Sequence, residues 1–157
     1  MKKIVNPFIG NENYTCFGCS PENNNGLQME FFEEGDEIVS IWKADTKFTG
    51  FDVILHGGIQ ATLMDEIASW VVFVKLKTGG FTTNLNVQYK QSVSIEKGDL
   101  TIRASLREMN KNIADIAVSL YDGDGKLCSK GIVQYFTLPE KIARKKLNYP
   151  GIESFYE

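Results

Sequence analysis

The run from Leu55 to Glu66 concentrates the chain's chemistry. Its only histidine, His56, is followed by Gly57 and Gly58, and two acids, Asp65 and Glu66, come roughly two helical turns later. Adjacent glycines are costly inside a helix but suit the junction where an extended segment enters one, because the missing side chain lets another molecule approach the first N–H groups. Those groups carry the positive end of the helix dipole and can hold an oxygen that turns negative in a transition state. A carboxylate on the same helix can attack a carbonyl or activate water. Acyl transfer needs both functions. For His56 two roles stand open: a general base or ligand, and a loop-fixing hydrogen bond to backbone. For the acids the plainer alternative is a place at the solvent or at a subunit boundary, paired with Lys or Arg.

The element that must position these groups is readable from its apolar spacing. From Gly57 to about Lys77, Ile59, Leu63, Ile67, Trp70, Val71 and Val74 recur at steps of three or four, and Ala61, Met64, Ala68, Val72 and Phe73 make most of the remaining surface apolar. A helix that is apolar all round is buried. An unpartnered carboxylate there costs several kcal/mol, so Asp65 must be paired, protonated or turned to a cavity. Neighbouring helical positions lie about 100° apart, so Asp65 and Glu66 do not form a carboxylate dyad.

Around this helix the pattern is that of strands. Short β-prone runs at Leu27 to Phe32 and Glu37 to Ala44 flank a reversal at Glu33 to Asp36, and Thr78-Gly79-Gly80 ends the helix through a left-handed glycine. Leu85, Val87 and Tyr89 then alternate with Asn84, Asn86 and Gln88, as Leu100, Ile102, Ala104 and Leu106 do with their polar neighbours, which predicts half-buried strands of an antiparallel sheet. Asp122 to Gly125 reads as a hairpin turn, lacking the closing glutamate of a calcium loop. The expected architecture is α+β, one domain, with an antiparallel sheet wrapped around one long central helix. Residues 1–26, rich in Asn, Gly and Pro, form a wrapping loop that gives little to the core; residues 27–138 form the domain; residues 139–157 form a short basic helix and a tail.

Composition narrows the function. A net charge of -3 and 43% hydrophobic residues describe an ordinary globular chain without the cationic field that nucleic acid requires, so no nucleic-acid partner is expected. No apolar run approaches a membrane span, and Met1 to Val5 leads into Asn6-Pro7 without a signal-peptide core, so a cytoplasmic location is expected. Cys16, Cys19 and Cys128 fit a reducing compartment. The Cys16-Phe17-Gly18-Cys19 spacing is half of a zinc or redox motif, but zinc takes four ligands and no second close pair follows. It reads as a packed loop, and no metal is expected.

The motif His56-Gly57-Gly58 followed by Ala61-Thr62-Leu63-Met64-Asp65, the strand from Thr82 to Val93 and the lead-in from Cys16 to Phe31 resemble hotdog-fold acyl-CoA thioesterases of the PaaI-like group, relatives of the 4-hydroxybenzoyl-CoA thioesterases. The resemblance covers about Tyr14 to Leu138. It implies a homodimer with active sites between subunits, which can pair again into a tetramer. It also implies hydrolysis of an acyl-CoA thioester with no cofactor beyond the coenzyme A of the substrate. It carries over Asp65 as nucleophile or general base, Gly57 as backbone donor to the carbonyl, Gly58 as shaping the approach, and Thr82 as a hydroxyl reaching in from the partner subunit. Some relatives place Asn or Gln shortly before the glycines, where this chain has Gly50, which shifts carbonyl polarisation to the helix N-terminus. Lys90, Arg103 and Lys111 are candidates for the coenzyme A phosphates, and Phe48, Phe51, Met64 and Trp70 for the acyl pocket, each with plain solvation or core packing as the alternative. Rival readings are a hotdog hydratase or dehydratase and a non-catalytic acyl-CoA sensor or scaffold.

Overall fold

The computed structural model describes residues 1–157. Its centre is the helix α1 (Gly57–Val74), and seven strands form one antiparallel sheet against it: β1 (Lys2–Lys3), β2 (Phe32–Glu34), β3 (Glu37–Trp42), β6 (Gly80–Tyr89), β7 (Leu100–Asn110), β8 (Ile113–Tyr121) and β9 (Leu127–Thr137), in the order β1-β2-β3-β7-β8-β9-β6. A small pair, β4 (Thr49–Phe51) with β5 (Ile54–Leu55), leads into α1, and α2 (Glu140–Leu147) follows the last strand. This is the expected hotdog arrangement: α1 touches β3, β6, β7, β8 and β9. No helix is long and apolar enough to cross a membrane.

The period-two pattern explains how the sheet meets the helix. Leu100, Ile102 and Ala104 of β7 and Ala114, Ile116, Val118 and Leu120 of β8 are buried, while the residues between them are not. The β2–β3 hairpin turns at Gly35, whose φ of 59° is one that side chains disfavour. Strand β2 is shorter than the spacing predicts, because Leu27, Met29 and Phe31 pack into the core ahead of it. The left-handed residue after α1 is Lys77 (φ 56°), so the two glycines there are not what ends the helix.

Two expectations fail, for related reasons. The N-terminal loop and the tail are not bystanders: Phe8 meets Phe73 of α1 at 5.2 Å between ring centroids and Phe155 at 5.9 Å, and Trp70 meets Phe155 edge-on at 5.7 Å. Tyr149 and Phe155 are buried, and the Tyr149 hydroxyl donates to the Phe73 carbonyl at 2.8 Å. Both ends of the chain therefore cover part of α1, which is why that helix is apolar all round. The second failure is β6, expected to be half-buried. It is the last strand of the sheet, and Phe81, Leu85 and Tyr89 on it are 54%, 36% and 52% exposed. A ten-residue edge strand with an apolar face and an unpaired backbone is a ready template for another strand.

Candidate active site

The helix start is built as its glycines predict. His56 is the N-cap: its backbone is extended (φ -59°, ψ 134°) and its Nδ1 accepts from the Gly58 N–H at 2.9 Å. The imidazole thus spends one nitrogen on the cap, the kind of backbone hydrogen bond that a loop-fixing role requires. Gly58 in turn has its N–H committed, while the Gly57 N–H finds no acceptor within the chain. Gly50 lies beside the cap, where a side chain would press on the His56 ring at 3.1 Å.

Spacing did not single out Tyr89. From the end of β6 its hydroxyl donates to the Gly57 carbonyl at 2.6 Å and so pins the first turn of α1 to the edge strand. In the sequence it looked like the last apolar residue of an alternating strand. A capping assignment for His56 makes a direct prediction. Asn is an equally good N-cap, so His56→Asn should keep activity within about threefold, whereas His56→Ala should lose about 1 kcal/mol of stability in urea unfolding.

Farther along α1, Asp65 is half-buried and its Oδ1 accepts from the Thr82 hydroxyl at 2.6 Å. The resemblance implies that this hydroxyl arrives from the partner subunit, but here it belongs to the same chain. Strand β6 carries Thr82 against its own helix, and a register shift between Thr82 and Asn84 turns Thr83 to Gln134 instead. Beside them Tyr135, paired with Thr82 across β6 and β9, is buried, and that burial, with Asp65 and Glu66 nearby, pushes its hydroxyl up. One carboxylate oxygen held by a hydroxyl leaves the other free to act on water or on a carbonyl carbon.

The two halves of the chemistry do not meet within one chain. Gly57 and Asp65 are eight residues apart on one helix, about 12 Å along its axis. A reacting carbonyl places its oxygen about 3 Å from the donor and its carbon about 3–3.5 Å from the attacking atom. Along one helix the two groups lie too far apart to serve the same carbonyl directly.

The remaining candidates divide. Arg103 is bound by Glu34 at 2.7 Å and Glu37 at 2.6 Å, two carboxylates that hold its charge on the β3 side of the sheet, with β8 and β9 between its strand and β6. Its charge is thus met within the chain. Lys90, which follows β6 directly, makes no ion pair, and Lys111 sits in the β7–β8 turn with φ 56°. Met64 is fully buried against the sheet, Trp70 stacks on Phe31 at 4.4 Å, and Phe48 packs on Trp42 at 5.6 Å. These three are core residues in the single chain. Phe51 differs, standing 81% exposed on β4 just ahead of the helix start.

A model of the thioesterase superfamily matches residues 54–129, the stretch from β5 into β9 that holds His56, Gly57, Asp65 and Thr82. Over that stretch, just under half of its length, the chain is similar to the thioesterase superfamily. It is also similar to a candidate esterase of Saccharolobus solfataricus, 24% identical over 124 residues that span 78% of this chain and 81% of that protein. A candidate esterase of Thermoplasma acidophilum is 30% identical over 84 residues, 53% of this chain and 62% of that protein. In fold the chain resembles a hypothetical thioesterase of Streptococcus pneumoniae solved with coenzyme A, with a TM-score of 0.65 and 20% identity over 71% of this chain and 90% of the other.

Proposed function

We propose that the protein is an acyl-CoA thioesterase whose active site is assembled by two copies of the chain. The observation that carries this reading is the separation of Gly57 from Asp65 on one helix beside an exposed edge strand. Two β6 strands pairing antiparallel about a twofold axis bury Phe81, Leu85 and Tyr89 and bring the two α1 helices alongside each other in opposite directions. The Gly57 donor of one chain then faces the Asp65 and Thr82 of the other. The thioester oxygen sits on the Gly57 N–H, Asp65 activates water or attacks the carbonyl, and Thr82 holds the carboxylate; the thiolate leaves without needing strong protonation. Phe51, exposed beside the helix start, lines the acyl group, and Lys90 meets the polyanionic coenzyme A. The solved relative with coenzyme A bound supports the choice of substrate class. Three free cysteines suit work in the cytoplasm.

Thiol release from short-chain, long-chain and aromatic acyl-CoAs tests the reaction; saturable binding without release across the panel sinks it in favour of a sensor. Complementation tests the assembly. Asp65→Asn and Gly57→Pro chains, each inactive, are unfolded together and refolded as a mixture. Random pairing makes about half the dimers mixed, each with one intact site, so about a quarter of wild-type activity returns. A site confined to one chain returns none. The edge strand gives a further prediction. Leu85→Lys places two cations against each other across the twofold axis, and should shift the protein to a monomer in sedimentation and abolish hydrolysis together.

A further inference from the structure

Glu66, the second acid in the central helix, does not face solvent and forms no ion pair. Its Oε1 accepts from the Trp70 indole N–H at 3.3 Å and from the Cys16 thiol at 3.5 Å, and Cys19 is also in reach. The donor atoms of Cys16, Cys19 and Glu66 all lie within 4.8 Å of one another. The loop is shaped for this meeting: a side chain at Gly18 would collide with the Glu66 carboxyl, so only glycine lets the helix acid reach both sulfurs. A buried carboxylate is normally paired with a cation or bound to a metal, and no Lys, Arg or His approaches this one.

We propose that Cys16, Cys19 and Glu66 bind a zinc ion that clamps the N-terminal loop onto the central helix. The separation of the ligands fits. Bond lengths of about 2.3 Å to sulfur and 2.0 Å to oxygen at a tetrahedral angle put those two atoms about 3.5 Å apart, and the Cys16 Sγ to Glu66 Oε1 distance is 3.5 Å. Two thiolates beside one carboxylate select a borderline-soft cation over magnesium or calcium. Around the ligands, the Trp70 indole already holds the Glu66 oxygen, and Tyr14 and Cys19 share a hydrogen bond at 2.9 Å while Asn6 donates to the Tyr14 hydroxyl at 3.0 Å. Such outer partners fix the orientation of ligands. The cluster opens on a cavity of about 280 Å³ lined by Phe8, Tyr14, Ser69 and Phe73, which gives a path for the ion and a place for water as fourth ligand. The sequence reading of this loop as metal-free lacked the third ligand, which arrives from 50 residues away.

Cobalt reports on the site directly. The full-length protein, stripped with chelator and kept reduced, is titrated with Co²⁺ and then Zn²⁺. One equivalent of cobalt should give the near-ultraviolet thiolate charge-transfer band and tetrahedral visible bands, which zinc then displaces, and zinc should raise the melting temperature. Cys16→Ser and Cys19→Ser should each weaken the thiolate band, and Glu66→Gln should keep it while loosening cobalt at least about tenfold. Wild-type protein that binds cobalt without a thiolate band, or takes up less than about a tenth of an equivalent, overturns the proposal whatever the variants do. Unchanged zinc uptake by the folded Cys16→Ser/Cys19→Ser chain overturns it too.

Discussion

Asp65→Asn should lower kcat for acyl-CoA hydrolysis by at least about a hundredfold while leaving the fold and melting temperature near wild type. The amide has the shape of the carboxylate, and its oxygen can still accept from the Thr82 hydroxyl, which holds Oδ1 at 2.6 Å in the native chain. Asp65 is half-buried, so no core contact is exchanged. What disappears is the charge and basicity of the free oxygen. A carboxylate that attacks or activates water is used only as the transition state forms, so kcat and kcat/KM should fall together while KM stays put. Thiol release with purified variant and circular dichroism as a fold check decide the matter. A loss under about tenfold would remove Asp65 from the reaction and leave it a structural partner of Thr82.

Gly57→Pro should cost about 10²–10³ in kcat, because proline removes the N–H that the proposed mechanism gives to the carbonyl oxygen. Few backbone donors can be deleted so cleanly. Residue 57 is the first helical position, where proline is favoured and its missing N–H breaks no helix bond. His56 before it already has the extended backbone that a following proline imposes (φ -59°, ψ 134°). A Cβ at position 57 would stand 3.5 Å from the Tyr89 ring, an ordinary contact, and the carbonyl that accepts from Tyr89 remains. Gly57→Ala is the paired control: it adds the same Cβ but keeps the N–H. If both variants lose activity equally, the glycine serves access rather than oxyanion stabilisation, and the assigned donor is wrong.

These variants also separate what could be read along the chain from what could not. The helix and its start were legible because apolar steps of three and four and adjacent glycines are local signals. The strands β7, β8 and β9 were legible for the same reason, their period of two being imposed by a sheet with one face on the helix. The expectation for β6 failed because alternation tells which residues share a face, not whether another strand lies beyond them. The partners of Arg103 were hidden for the same reason: nothing in its own strand announces Glu34 and Glu37 across the sheet.

By itself the sequence determined that one buried helix carries a glycine start and a carboxylate, because those features rest on backbone geometry within a few residues. Only the tertiary structure decided the partners: Thr82 on Asp65, Tyr89 on Gly57, and Glu66 turned from its neighbour Asp65 towards Cys16 and Cys19. Adjacent positions on a helix point about 100° apart, so two consecutive acids enter different surroundings. Which surroundings those are depends on how strands and loops far along the chain close around the helix, and local spacing does not encode that closure.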